Sequence, residues 1–540
     1  MLLYINLLAM PVPDCRIRKE SFKRRVFIFA VFFLYACNPS PAPPAALRLA
    51  FNAPPQTLDP RKSADFLSST LICLLYDGLT RCAPGGGIEP ALAEKWTISP
   101  DGKTYTFFLR KAFWSNGKVV TAFDFERSWK KILDPSFLSP SVYLLFSIKN
   151  GEKCAKNEAT SKDVGICALD ERTLQVELEH PTPYFLSLTA FPLFLPAPED
   201  EVSGSIFNGP FCIEKFHPNH EIILVKNHTF WNANHTNLEK IQIQVIPEEN
   251  TALEMFEQGE LDWLGSPLAP LPPDSISSLR HKLRFIPMPA STILAFNTQT
   301  FPFQNMKLRK ALSLSLNRDC LVSEITAAGQ ILPMRVLPPS LFEKSLPPLF
   351  GFSDPKMARS LFEEALSELS ITPADFESLT LYFRPTQMEK RMAQALQREW
   401  KDTFGFVIQI QQLDQKTHFD RLHRRDYHIA LTSWISQFHD PVNILERFRL
   451  ASNQKNYAGW ENSDYQILLE KAAVELDVHL RLDLLAAAEE IFAHEFPIFP
   501  LYHWTSPSLA NARLQDIATS PCGGILFERF NINDSGYSGY

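Results

Sequence analysis

His418, His423 and His428 recur at every fifth position beside Asp420 and Asp426, residue types that bind metals and move protons. A five-residue step does not stack side chains on one helical face, so these read as solvated or hydrogen-bonded histidines and no metal site is expected. No His-Glu-x-x-His pair and no Cys-x-x-Cys zinc spacing occurs. No Gly-x-Ser-x-Gly elbow is present to hold a nucleophile. Gly102-Lys103-Thr104 ends like a phosphate-binding loop, but position 97, where the first glycine belongs, is Thr97. The consecutive Gly85, Gly86 and Gly87 sit in a hairpin-turn context, and Arg421, Arg424 and Arg425 read as a solvated face. The chain therefore carries none of these signatures of a catalytic centre or a cofactor cradle, and no enzyme activity is expected from them.

The elements that would position other chemistry are strands and helices in mixed order. Ala46 to Phe51 alternates as a first strand, and Ser68 to Asp77 reads as a helix stopped by Gly78. Thr104–Leu109 and Thr173–Leu178 alternate, while Glu221–Lys226 and Lys240–Ile246 look like neighbouring strands. Thr121 is placed to cap a helix carrying Phe123, Trp129 and Ile132. Further helices are expected at 249–258, 307–315, 355–369, 388–404, 465–474 and 481–492, and strands at 406–411 and 427–432. Without regular βαβ spacing or an internal repeat, this pattern predicts a mixed α/β protein with more than one sheet.

At 540 residues, 45% apolar and 12% aromatic, the chain can bury large cores and suits about three domains. A net charge of −7 argues against nucleic acid as a partner. Basic residues from Arg16 to Arg25 precede nine apolar residues, Val26 to Leu34. A membrane span needs about 20 residues, so this run predicts an export signal rather than an anchor. Export permits disulfides. Of nine cysteines, Cys154 and Cys167 flank a polar loop and are the expected local pair.

Leu34-Tyr35-Ala36-Cys37 resembles the lipobox of bacterial lipoproteins, which implies a signal peptide over 1–36 and a lipid on the Cys37 thiol. The proline-rich 37–44 segment would then be an extended tether. The body resembles the solute-binding family 5 proteins, the oligopeptide-binding components of ABC importers. The resemblance rests on ordered blocks: Thr57-Leu-Asp-Pro60, Tyr76-Asp-Gly-Leu-Thr80, Pro90 to Trp96, Ser99 to Gly117 with Thr121 to Phe125, Asn208-Gly-Pro-Phe211, Gly259-Glu-Leu-Asp262, Lys307 to Leu312 and Pro497 to Tyr502.

That resemblance implies a periplasmic-binding-protein-like α/β fold of three domains, with two lobes that close by a hinge and an extra domain. The first lobe is expected at 45–88, 204–289 and 505–540, the extra domain at 89–203 and the second lobe at 290–504. It implies a peptide held between the lobes as an added strand, along a segment with Asp65 and Phe66 and another with Ser433, Trp434 and Ile435. The acid that anchors the ligand's α-ammonium in the family falls at Gln437, which is neutral, and Asp440 is charged but shifted by three positions. Positions that often carry cations for the ligand carboxylate are Leu422 and Leu431, leaving Arg384 as a substitute. The implied function is an extracytoplasmic binding lipoprotein delivering peptides to an ABC permease and its ATPase subunits. It would be monomeric, located in the periplasm or cell envelope, and in contact with the membrane only through its lipid. A murein peptide or a nickel chelate as ligand, or a sensor role without transport, stays open.

Overall fold

The computed structural model describes residues 46–84, 86–199, 205–326, 328–342, 345–520 and 523–533. The expected signal, the tether and Cys37 lie outside the described residues. Among the described residues no helix is long and apolar enough to cross a membrane.

In chain order the strands are β1 (Ala46–Phe51), β2 (Thr80–Cys82), β3 (Ile88–Pro90), β4 (Ala93–Ile98), β5 (Thr104–Leu109), β6 (Ile166–Asp170), β7 (Thr173–Glu177), β8 (Phe211–His217) and β9 (Glu221–Lys226). They continue as β10 (Lys240–Val245), β11 (Trp263–Gly265), β12 (Arg284–Phe296), β13 (Thr380–Phe383), β14 (Gln409–Gln412), β15 (Ile429–Ile435), β16 (Ile498–Ala510), β17 (Leu514–Gln515) and β18 (Asn531–Ile532). The large sheet has the order β14-β13-β15-β12-β16-β11-β1-β10-β9-β8. A separate sheet, β4-β5-β7-β6, belongs to the middle of the first half of the chain.

β12 and β16 run antiparallel through the centre of the large sheet and join its two halves. Their pairing slips between Pro287 and Ser291. Pro287 and Pro289 bring no N–H to the ladder, so continuous pairing cannot hold there. Both strands are buried almost throughout, so neither shows the apolar–polar alternation of a half-exposed strand. That is why the sequence reading did not single them out.

Most expected elements form close to their expected bounds. Thr121 caps the helix Ala122–Ile132, with the Asp124 carboxylate accepting from the Thr121 N–H at 2.8 Å. Phe125, Trp129 and Ile132 fill its inner face against the small sheet, whereas Phe123 lies outside at 46% exposure. Gly405 closes the helix Gln387–Phe404 at φ 83°, a left-handed conformation that glycine adopts without penalty. Phe406 stands outside β14 and packs on Phe362 and Phe376 instead.

The expected Cys154–Cys167 disulfide is corrected: both thiols are free. Cys154 is buried on the short helix Gly151–Ala155. Cys167 follows the buried Ile166 in β6, and strand alternation turns it to the solvent face.

Candidate functional site

The Ser433–Ile435 segment singled out in the sequence is the last part of β15. On one side β15 pairs with β12 along its whole length, Ser433 opposite Thr292 and Ile435 opposite Ala290. On the other side β13 reaches only Ile429 and Ala430. From Leu431 to Ile435 that second edge is paired by no described strand. Trp434 turns inward at 5% exposure and meets Phe448 edge-on, centroids 5.9 Å apart. Its indole N–H has no partner among the described residues. Ile435 is 36% exposed at the strand end.

Arg384 leaves β13 one residue beyond its end and turns toward β15. Its backbone N–H and its Nε both donate to Glu389, each at 2.7 Å, and Nη2 donates to Ser433 Oγ at 3.1 Å. Glu389 is held in the first turn of the helix Gln387–Phe404, where Thr386 Oγ1 accepts its N–H at 3.1 Å. The guanidinium is thus fixed by a buried carboxylate. His418 is buried behind it, with neither ring nitrogen partnered, and burial plus the Arg384 charge hold its pKa down to about 4. It is a neutral core histidine.

Gln437 donates its side-chain amide to the hydroxyl of Tyr143, 294 positions away. Its backbone N–H goes to Asn443 Oδ1 at 3.2 Å. Asp440 is already engaged: Arg481 grips it with Nη1 to Oδ2 at 2.6 Å and Nη2 to Oδ1 at 2.9 Å, and the Val442 N–H adds 2.9 Å. Next to them Phe438 stacks on Tyr184, centroids 4.9 Å apart and planes 8° apart.

Asp65 caps the helix Phe66–Leu75, Oδ1 accepting from the Ser68 N–H at 2.9 Å. Its Oδ2 is buried and unpartnered. Phe66 beside it is 40% exposed. Among the described residues no hydrogen bond or ion pair joins this segment to 432–437. The sequence singled out these two segments but not Tyr143, Glu389 or Arg481, the residues that bond Gln437, Arg384 and Asp440. Glu389 had a local signal, a Thr386-x-x-Glu389 cap, whereas the others act over distances in sequence that no local pattern marks.

The family model for bacterial extracellular solute-binding proteins, family 5, matches residues 87–456. The chain belongs to that family. This family 5 protein is 34% identical to the oligopeptide-binding protein OppA of Bacillus subtilis, over 89% of this chain and 91% of that protein. Its fold superposes on the unliganded open form of the periplasmic murein tripeptide-binding protein MppA with a TM-score of 0.82, at 25% identity, covering 91% of this chain and 98% of that one. On Haemophilus influenzae OppA in complex with the peptide RPPGFSPFR the TM-score is 0.69, also at 25% identity, with 90% and 99% covered. The periplasmic-binding-protein-like α/β architecture, with its lobes and extra domain, is that of the family.

Proposed function

We propose that this solute-binding protein holds a peptide between its lobes and hands it to an ABC permease and its ATPase subunits. The observation that carries this reading is the β15 edge from Leu431 to Ile435, which no described strand pairs. An extended ligand added there would satisfy main-chain groups regardless of its side chains. The peptide seen with Haemophilus influenzae OppA and the name of the Bacillus subtilis relative support the same ligand class.

In this reading Ser433, Trp434 and Ile435 offer the strand edge, and Phe66 lines the opposing segment. Arg384, fixed by Glu389, offers its remaining N–H groups to a carboxylate. Gln437 gives a neutral hydrogen bond where the family places an acid, and Asp440 serves by holding Arg481. Asp65 Oδ2 is the carboxylate oxygen left over for an ammonium group. The lobes are placed at 45–88, 204–289 and 505–540 and at 290–504, with the extra domain at 89–203. The slip in the β12–β16 ladder at Pro287 to Ser291 supports a hinge at the 289/290 boundary.

We place the mature chain in the periplasm or cell envelope as a monomer, held to the membrane by a lipid on Cys37. Cys37→Ala should release it from membranes; a variant still bound after carbonate washing would place the anchor elsewhere. Native mass spectrometry of the purified protein tests the ligand class. Retained peptides are expected, and a protein that carries none and binds no member of a tripeptide-to-pentapeptide library would overturn the reading. A modified peptide is the second reading, favoured by the neutral Gln437.

A further inference from the structure

Two cations stand beside the unpaired β15 edge without an acidic partner among the described residues. Arg447 donates Nη2 to the Ile435 carbonyl at 3.0 Å and to Asn443 Oδ1 at 3.1 Å, and Nε to the Asn443 carbonyl at 3.1 Å. All three acceptors are neutral. Lys455 lies over the Tyr143 ring, 5.1 Å from its centroid. Burial and then the Arg447 charge lower the Lys455 pKa, and burial lowers that of Arg447, with only the Tyr457 and Tyr143 hydroxyls acting in the opposite direction.

Nearby cations are matched. Arg384 has Glu389, Arg481 has Asp440, and Arg449 has Glu446 and Glu470. Glu446 and Glu470 bond Arg449, not Arg447. Gln437 touches the same two partners, Tyr143 through its side chain and Asn443 through its backbone. The corner around Gln437, where the family resemblance puts an acid, therefore carries unmatched positive charge. An ammonium would be repelled there. A carboxylate would find a guanidinium edge and an ammonium, the pairing that makes the stronger charge-assisted hydrogen bonds.

We propose that Arg447 and Lys455 form a carboxylate subsite at the end of the β15 edge, next to Gln437 and Tyr143. The inference rests on the peptide-binding reading and deepens it: the preferred ligands carry a carboxylate at this corner. That group is either an acidic side chain or the peptide's C-terminal carboxylate, which share one chemistry.

The test is titration calorimetry with tripeptides in an alanine background, carrying Asp or Asn at each position in turn, and with Ala-Ala-Ala and its C-terminal amide. If a side chain fills the subsite, Asp binds at least tenfold tighter than Asn at one position. If the terminus fills it, amidation costs at least tenfold. In either case Lys455→Gln should reduce the preference several-fold and Arg447→Gln should abolish it, with thermal denaturation showing that each variant is folded. Equal binding of Asp and Asn peptides, with no loss on amidation, overturns the subsite alone. A preference that survives both substitutions does the same. No binding by any of these tripeptides overturns the subsite; the peptide reading falls with it only if no peptide is retained and the tripeptide-to-pentapeptide library fails as well.

Discussion

Asp65→Asn separates the helix cap made by Asp65 from the ligand role proposed for it. Oδ1 of Asp65 caps the helix Phe66–Leu75 through the Ser68 N–H, while Oδ2 is buried without a partner. Asparagine caps helices about as well as aspartate, so folding stability should stay within about 0.5 kcal/mol of the parent. Binding should not. The helix start carries roughly half a positive charge, which opposes an approaching ammonium unless a carboxylate offsets it. Asparagine removes the charge and puts an N–H donor where an acceptor stood. A hydrogen bond to a charged group is worth about 1.5–3 kcal/mol, so a free-amine tripeptide should weaken by about ten- to 150-fold. Its N-acetylated form should be nearly unaffected. Calorimetric titration of both peptides, beside thermal denaturation, reads the two effects separately. Asp65→Ala is the control, since it loses the cap as well and should cost about 1 kcal/mol of stability. Unchanged free-amine binding by a well-folded Asp65→Asn protein would refute the assignment of Oδ2 to the ligand.

Arg481→Met leaves the buried Asp440 carboxylate unpaired and should destabilise by about 3–5 kcal/mol; adding Asp440→Asn should recover most of it in urea titrations. Trp434→Phe removes a buried ring from the Phe448 contact but no hydrogen bond, so it should cost stability through lost packing, by about 1–3 kcal/mol in urea titrations, and an unchanged midpoint would refute that packing role. Burial holds the pKa of His418 down to about 4 and that of His503 to about 3, from 6.5. The unfolded chain then takes up protons that the native state refuses, so stability present above pH 6.5 falls as the pH drops toward 4. The slope is about 1.4 kcal/mol per pH unit for each histidine. His418→Gln should reduce the slope by about 1.4 kcal/mol per pH unit over that window, and an unchanged curve would refute the argument.

What the sequence made legible followed from local pattern. The helix Pro355–Leu369 has the expected bounds, and its inner face carries Ala358 and Phe362 as the 3.6-residue period required. Thr121 is legible as a cap by its residue type just before a periodic run, and the structure adds Asp124 three residues on as its partner. β12 and β16 escaped because a strand buried on both sides loses its alternation, and prolines at 287, 289, 500 and 507 argue against central strands. The pattern predicts a strand over 427–432, whereas β15 runs to Ile435, since its continuation is set by pairing with β12 and not by its own residues. In the site, Gln437 was noticed as a departure in charge. Tyr143, which bonds it, comes from a short turn, Val142–Leu145, with no periodic signal.

Asp262 ties the two ends of the described chain together, and this bears on how the protein is made. Its fully buried carboxylate is gripped by Arg48 through Nε at 3.0 Å and Nη2 at 2.8 Å, and by Arg513 through Nε at 2.7 Å and Nη2 at 2.6 Å. Arg513 also reaches the Ala46 carbonyl at 2.8 Å, across 467 positions. A chain synthesised from its amino end has β1, β10 and β11 available early, but Asp262 stays half-matched until residue 513 has been added. The strand that flanks β11, the far end of β16, arrives equally late. The part of the large sheet around β1 thus closes last, after β12, β13, β14 and β15 could already have assembled from one continuous stretch.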